Sequence, residues 1–202
     1  MPEVIGMKRV IGVTGGIASG KSNVCSVLKD LGYPVIDADE ISFNLSKKGM
    51  PIYKAIRESF GDDYLMEDGE IDRKKLGKLI FKNSAAKLIL NQISHPIILD
   101  EMKRQIGEYK DGLVFVEVPL LYEAKLEGLC DKVICVFLSK KLQVERLIER
   151  EGIDEDYALA KIHSQMDLYM KKSLADYVID SKGSFDETKA QVINIINEIK
   201  GV

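Results

Sequence analysis

One stretch, Gly15-Gly16-Ile17-Ala18-Ser19-Gly20-Lys21-Ser22, limits the folds open to this chain. It is a complete G-x-x-x-x-G-K-[ST] phosphate loop, which works only with a strand before it and a helix after it. Both are legible. Arg9-Val10-Ile11-Gly12-Val13-Thr14 reads as a buried parallel strand. Val24, Cys25, Val27, Leu28 and Leu31 then share one helical face, and Gly32 is a stop signal. The glycines let main-chain N–H groups converge on an anion, and the helix N-terminus adds partial positive charge. On this reading Gly15, Gly16, Ile17, Ala18, Ser19 and Gly20 cradle the phosphates of a nucleotide, with Asn23, in the following turn, a further candidate for binding it. Lys21 reaches the outer phosphates and the Ser22 hydroxyl ligates Mg²⁺.

Beyond Gly32, a turn leads into a short strand, Val35-Ile36, ending in Asp37-Ala38-Asp39. Read as extended chain, it turns both carboxylates to one face, at the sheet edge where open α/β sheets bind ligands. Asp39 is then a candidate to accept a hydroxyl proton and position a nucleophile; the alternative is a helix cap before Glu40. From about Glu40 to Lys110 the pattern is helical, broken at Gly49, Gly61 and Gly69. Asp72 and Ser84 are candidate N-caps, and Pro96 is expected in the first turn of a new helix with His95 just before it. So long a helical stretch between strands reads as an insertion covering an acceptor.

Strand character returns at Leu113 to Val118, Val133 to Leu138 and Tyr177 to Asp180. Glu117, near a strand end, suits either a metal- or water-orienting acid or a structural ion pair. On the helix from Lys140, Arg146 and Arg150 are four apart; after Gly152 a second helix puts Lys161 and Gln165 on a shared face. Two cation-bearing helices hinged at a glycine predict a mobile lid over ATP rather than a solvated hairpin. His163 reads as structural. Ser184-Phe185-Asp186-Glu187 is a capping box opening a last helix whose apolar face holds Val192, Ile193, Ile195, Ile196 and Ile199. The expected fold is α/β: a doubly wound five-stranded parallel sheet of phosphate-loop NTPase type, with a helical insertion and a helical lid. Its nucleotide-binding core spans residues 7–40 and 111–202, with the lid at about 140–172 and the insertion at 41–110.

With 202 residues and a net charge of −3, the chain offers no broad surface for nucleic acid or an anionic membrane. Any anionic ligand must be held locally. Three cysteines without metal-ligand spacing suit reduced, buried thiols. Met1 to Gly6 reads as a short leader, with Met7 an alternative start, and no signal peptide or membrane-spanning run is visible, so a cytoplasmic location is expected. Oligomeric state is not legible.

The sequence resembles the dephospho-coenzyme A kinase family. The motifs that carry the resemblance are Thr14 to Ser22, Val35-Ile36-Asp37-Ala38-Asp39, Asp68-Gly69-Glu70-Ile71-Asp72-Arg73, His95-Pro96, Pro119-Leu120-Leu121-Tyr122-Glu123, the Arg146/Arg150 segment, Gln165 and Tyr177 to Asp180. The resemblance implies ATP-dependent phosphorylation of the ribose 3′-hydroxyl of dephospho-CoA. It implies Asp39 as base, with Lys21, Arg146 and Arg150 acting on the transferring phosphoryl group. It also implies Asp37, Asp39, Arg73, His95, Pro119, Leu120, Glu123, Lys161 and Gln165 as substrate-binding residues. Glu117 stands where the family usually has aspartate, Lys161 where lid arginine is common, and Ser181 where an asparagine is thought to help recognise adenine. Ala18 replaces a frequent glycine at a position the motif leaves variable, and is expected to be harmless. Another small-metabolite kinase would share the donor site and differ in the insertion. A nucleotide-dependent switch or ATPase would leave Asp37-Ala38-Asp39 unexplained, and the N-K-x-D motif of GTPase switches is missing.

Overall fold

The computed structural model describes residues 7–201, so the leader expected over Met1 to Gly6 lies outside the described residues. The chain divides into two compact units, Met1–Ile36 with Tyr109–Val202, and Asp37–Glu108.

The sheet has five strands, all within the first unit save the last residue of the second strand: β1 (Arg9–Gly15), β2 (Val35–Asp37), β3 (Leu113–Glu117), β4 (Lys132–Phe137) and β5 (Tyr177–Asp180). Their order is β2-β3-β1-β4-β5, and the ladders of β1 with β3, β1 with β4 and β4 with β5 are parallel. Near-continuous apolar runs in β1, β3 and β4 leave both sheet faces needing cover. Helices α1 (Lys21–Asp30) and α9 (Phe185–Lys200) cover one face, where Val24, Leu28, Val192 and Ile196 pack on Ile11, Phe115, Ile134 and Val136. The alternate residues of β4, Cys135 and Phe137, point to the other face and meet Leu168 of α8 (Leu168–Leu174). Two further helices, α6 (Lys140–Glu151) and α7 (Glu155–His163), meet at Gly152, a left-handed C-cap with φ +65°. The doubly wound parallel sheet is as expected. So is the Ser184–Glu187 capping box, although Ile193 of α9 is exposed.

The second unit contains α2 (Ala38–Leu45), α3 (Pro51–Phe60), α4 (Arg73–Lys82) and α5 (Ser84–Gly107) around Ile52, Tyr53, Ile56, Ile71 and Leu76. Two sequence expectations fail here. Asn83, not Ser84, caps α5, its side-chain oxygen accepting from the Ala86 N–H at 3.0 Å. Pro96 does not open a helix but lies inside α5. An interior proline removes one helical hydrogen bond and costs ~3 kcal/mol or more. Apolar side chains on both sides of it, Leu90 and Ile93 before and Ile97 and Ile98 after, pack against the same core and hold the helix through the break.

All three cysteines are free thiols, Cys25 and Cys135 buried and Cys130 partly so. Burial pushes the Cys130 thiol up to about 12 and the Cys135 thiol to about 11, so little thiolate forms near neutrality. A disulfide reagent should therefore label the native protein slowly and all three cysteines promptly after unfolding in guanidinium. Rapid labelling of the native protein would show that these thiols are reachable.

Candidate active site

The phosphate loop runs from the last residue of β1 into α1. Gly15 sits where a Cβ would lie 2.6 Å from the Val136 carbonyl oxygen, so the loop approaches β4 too closely for any side chain. Gly20 is the N-cap of α1 with φ +86°, a left-handed conformation that favours glycine. Ala18 also has a positive φ, +57°, and carries a Cβ there. The position is therefore not neutral: Ala18→Gly should stabilise the fold by ~1 kcal/mol, read as a rise in thermal midpoint. A fall would mean that the alanine methyl's packing outweighs the backbone strain.

For the loop to turn N–H groups inward, its carbonyls need donors from outside. Gln143, buried on α6, donates from Nε2 to the Ile17 carbonyl at 2.8 Å. Ser181, buried just after β5, donates its hydroxyl to the Ser19 carbonyl at 2.6 Å. Lys171, fully buried on α8, places Nζ 3.5 Å from the Gly15 carbonyl and 2.8 Å from that of Pro119. Alternate loop carbonyls are thus held from three elements. Sequence reasoning singled out neither Gln143 nor Lys171, and it read Ser181 only as a missing asparagine. Buried polar residues on otherwise apolar helix faces were the available signal.

The predicted residues fall into groups. Lys21 folds over the loop, Nζ donating to the Gly16 carbonyl at 3.1 Å, and Ser22 and Asn23 are exposed in the first turn of α1. Arg146 borders the loop: Nη1 lies 3.6 Å from the Cβ position of Gly20, and Nη2 donates to the Ser181 carbonyl at 2.7 Å. Arg150 and Lys161 instead both pair with Glu151, next to Gly152. Gln165 does not share a helix face with Lys161, because α7 ends at His163. Its Oε1 accepts from the Ile17 N–H at 2.9 Å, which ties the segment after α7 to the loop. Ile17 and Ala18 pack against Leu147, Ala158 and Ile162, which joins the α6–α7 pair to the loop.

Pro119 accepts at its carbonyl from Thr14 Oγ1 at 3.2 Å, and Leu120 is exposed. Glu123 is turned inward: Oε1 is 2.8 Å from Lys171 Nζ and accepts from the Met166 N–H at 2.9 Å. Glu117 closes β3 opposite Val13.

In the second unit the extended reading of Asp37-Ala38-Asp39 is overturned. The strand ends at Asp37, whose Oδ1 accepts from the N–H groups of Asp39 and Glu40 at 2.8 and 3.2 Å. Asp37 is therefore the helix cap, and Asp39 lies exposed in the first turn of α2. Arg73, at the start of α4, donates from Nη2 to Ser46 Oγ at 2.6 Å and lies 4.6 Å over the Phe43 ring. His95 is half-buried on α5, and burial lowers its imidazole below the ordinary value.

A doubly wound parallel sheet, a phosphate loop between β1 and α1, and a cation on α6 beside that loop define a phosphate-loop kinase. The family can be named more narrowly. The model of the dephospho-CoA kinase family matches residues 9–187, and the chain belongs to that family. It is 43% identical over 194 residues to a dephospho-CoA kinase of Carboxydothermus hydrogenoformans, covering 95% of this chain and 94% of that one. Among solved structures it is similar to a Thermus thermophilus protein with TM-score 0.83 and 27% identity, over 96% of this chain and 98% of that one. It also matches a dephospho-CoA kinase from Campylobacter jejuni with TM-score 0.69 and 33% identity, over 96% and 99%.

Proposed function

We propose that the loop and Asp39 carry out the reaction of the family. The γ-phosphoryl group of ATP moves to the ribose 3′-hydroxyl of dephospho-CoA, giving coenzyme A and ADP, the last step of coenzyme A biosynthesis. The observation that carries this is the loop itself, whose Gly15, Ile17 and Ser19 carbonyls are turned to donors outside it. Such a cradle is organised before ATP arrives, so little reorganisation is needed as charge develops. Lys21 and the remaining loop amides hold the outer phosphates. Asp39 accepts the 3′-hydroxyl proton as that oxygen attacks the γ-phosphorus, and the bond to the ADP oxygen breaks. Arg146, already beside Gly20, stabilises charge on the transferring group. Arg150 and Lys161 would join it by exchanging Glu151 for phosphate, which is how a lid over residues 140–172 would close. Asp37 shapes the start of α2. Glu123 and Gln165 act by positioning the residues they bind, and Arg73 and His95 belong to the acceptor side.

The donor set near the loop also suits Mg²⁺. Among the described residues no cluster of three or more His, Cys, Asp or Glu is placed to hold a metal ion. Ser22 instead offers one hard hydroxyl oxygen, the mode in which Mg²⁺ is held largely by nucleotide phosphates and water. Bound there, it would neutralise charge on the β- and γ-phosphate oxygens. Among the described residues no helix is long and apolar enough to cross a membrane, and we place the reaction in the cytoplasm with a small-molecule partner.

Incubation with Mg·ATP and dephospho-CoA, followed by identification of the phosphorylated position, tests the reading. Phosphate on the ribose 3′-oxygen is expected. ADP release indifferent to dephospho-CoA would point to an ATPase, and turnover only with a sugar or nucleoside to a different kinase.

A further inference from the structure

Gly16 is not glycine for the sake of its own backbone. Its φ lies outside the left-handed range that Ala18 and Gly20 occupy. What excludes a side chain is Gln143, because a Cβ at residue 16 would collide with Gln143 Nε2. The next contact, with Leu168 Cδ2 at 3.1 Å, is looser. Gln143 is 2% exposed and donates to the Ile17 carbonyl at 2.8 Å, so its amide has no free rotation out of the way.

The peptide planes on either side of Ile17 are held differently. The Gly16–Ile17 plane is fixed at both ends, its oxygen accepting from Lys21 Nζ at 3.1 Å and its N–H donating to Gln165 Oε1 at 2.9 Å. The Ile17–Ala18 plane is held at its oxygen, by Gln143. A trans peptide is planar and sets its N–H opposite its carbonyl, so a donor that draws the Ile17 oxygen toward α6 turns the Ala18 N–H the other way. Among the described residues that N–H has no acceptor. Ala18 has φ +57°, and a left-handed residue within a turn is the arrangement in which successive N–H groups form a concavity for an anion.

We propose that Gln143 is the positioning residue that aims the Ala18 N–H at a phosphate of ATP, and that residue 16 is glycine in order to admit the Gln143 amide. The proposal rests on the reading above, that this loop holds ATP. Gln143 itself touches no substrate and acts through the Ile17–Ala18 peptide.

The test is Gln143→Ala, Gly16→Ala and the double variant, with the ATP dissociation constant and both KM values measured for each. Gln143→Ala should weaken ATP binding about tenfold, the worth of one hydrogen bond to a charged group, and leave KM for dephospho-CoA within about twofold of wild type. Gly16→Ala displaces the same amide and should weaken ATP binding by a similar factor. The double variant should bind ATP no more weakly than Gln143→Ala alone, because the clash goes with the amide. Losses that multiply to about a hundredfold would put residue 16 against the nucleotide instead, and overturn the proposal. Unchanged ATP binding in Gln143→Ala would overturn it too, as would equal rises in both KM values, the mark of general structural damage. Should Gln143→Ala fail to fold, Gln143→Met, which fills the space without the donor, must show the same tenfold loss. A wild-type enzyme that binds ATP but does not phosphorylate dephospho-CoA would sink the functional reading, and the ATP-binding comparison would still decide this one.

Discussion

Asp39→Asn should lower kcat at least ~100-fold with ATP affinity nearly unchanged, the scale of a lost general base. The substitution is nearly isosteric, and it spares the helix start because the cap is the Asp37 carboxylate and not Asp39. Losing one negative charge from the first turn of α2 costs only ~0.3–1 kcal/mol through the helix dipole. A fall in stability therefore cannot account for a hundredfold loss of turnover. Steady-state kinetics with saturating dephospho-CoA, together with direct ATP binding, separate chemistry from affinity. Near-normal turnover would reduce Asp39 to a surface carboxylate and remove the base from the proposed mechanism.

The same segment shows what the sequence did and did not reveal. That carboxylates follow β2 was plain from Val35-Ile36-Asp37-Ala38-Asp39, but which one caps and which one extends from α2 was not. Asp at either position is a good cap, and only the backbone path decides. The sheet was legible because buried parallel strands read as unbroken apolar runs, and β1, β3 and β4 are such runs. Pro96 misled for the opposite reason: a local rule ends helices at proline, while packing of Ile93 and Ile97 on the core of the second unit keeps this one going. At the phosphate loop the motif named the backbone that faces the ligand. It could not name the side chains that hold that backbone from behind. Gln143, Lys171 and Ser181 come from α6, α8 and the end of β5, and only the fold brings these segments together. Gln165 was singled out for a substrate role, yet its side chain supports the same loop through Ile17.

Lys171→Met should be the most destabilising of the substitutions considered. Its ammonium is fully buried and has three acceptors, Glu123 Oε1 and the carbonyls of Pro119 and Gly15, one for each of its N–H groups. Methionine fills similar volume but leaves the Glu123 carboxylate without its cation, and Glu123 Oε2 is already buried without a hydrogen-bond partner. Removing one partner of a buried ion pair costs ~3–5 kcal/mol. For a chain of this size that corresponds to a fall in thermal midpoint of roughly 6–20 °C. The Gly15 carbonyl loses a donor as well, so KM for ATP should rise even at temperatures where the variant stays folded. Adding Glu123→Gln removes the stranded charge while keeping an acceptor for the Met166 N–H, so the double variant should recover most of the lost stability. The ATP defect should persist in the double variant, because glutamine at residue 123 does nothing for Gly15. Full recovery of both would mean that the pair matters only through its charge balance. A single variant within ~1 kcal/mol of wild type would mean that the buried ammonium is not what holds α8 to the loop.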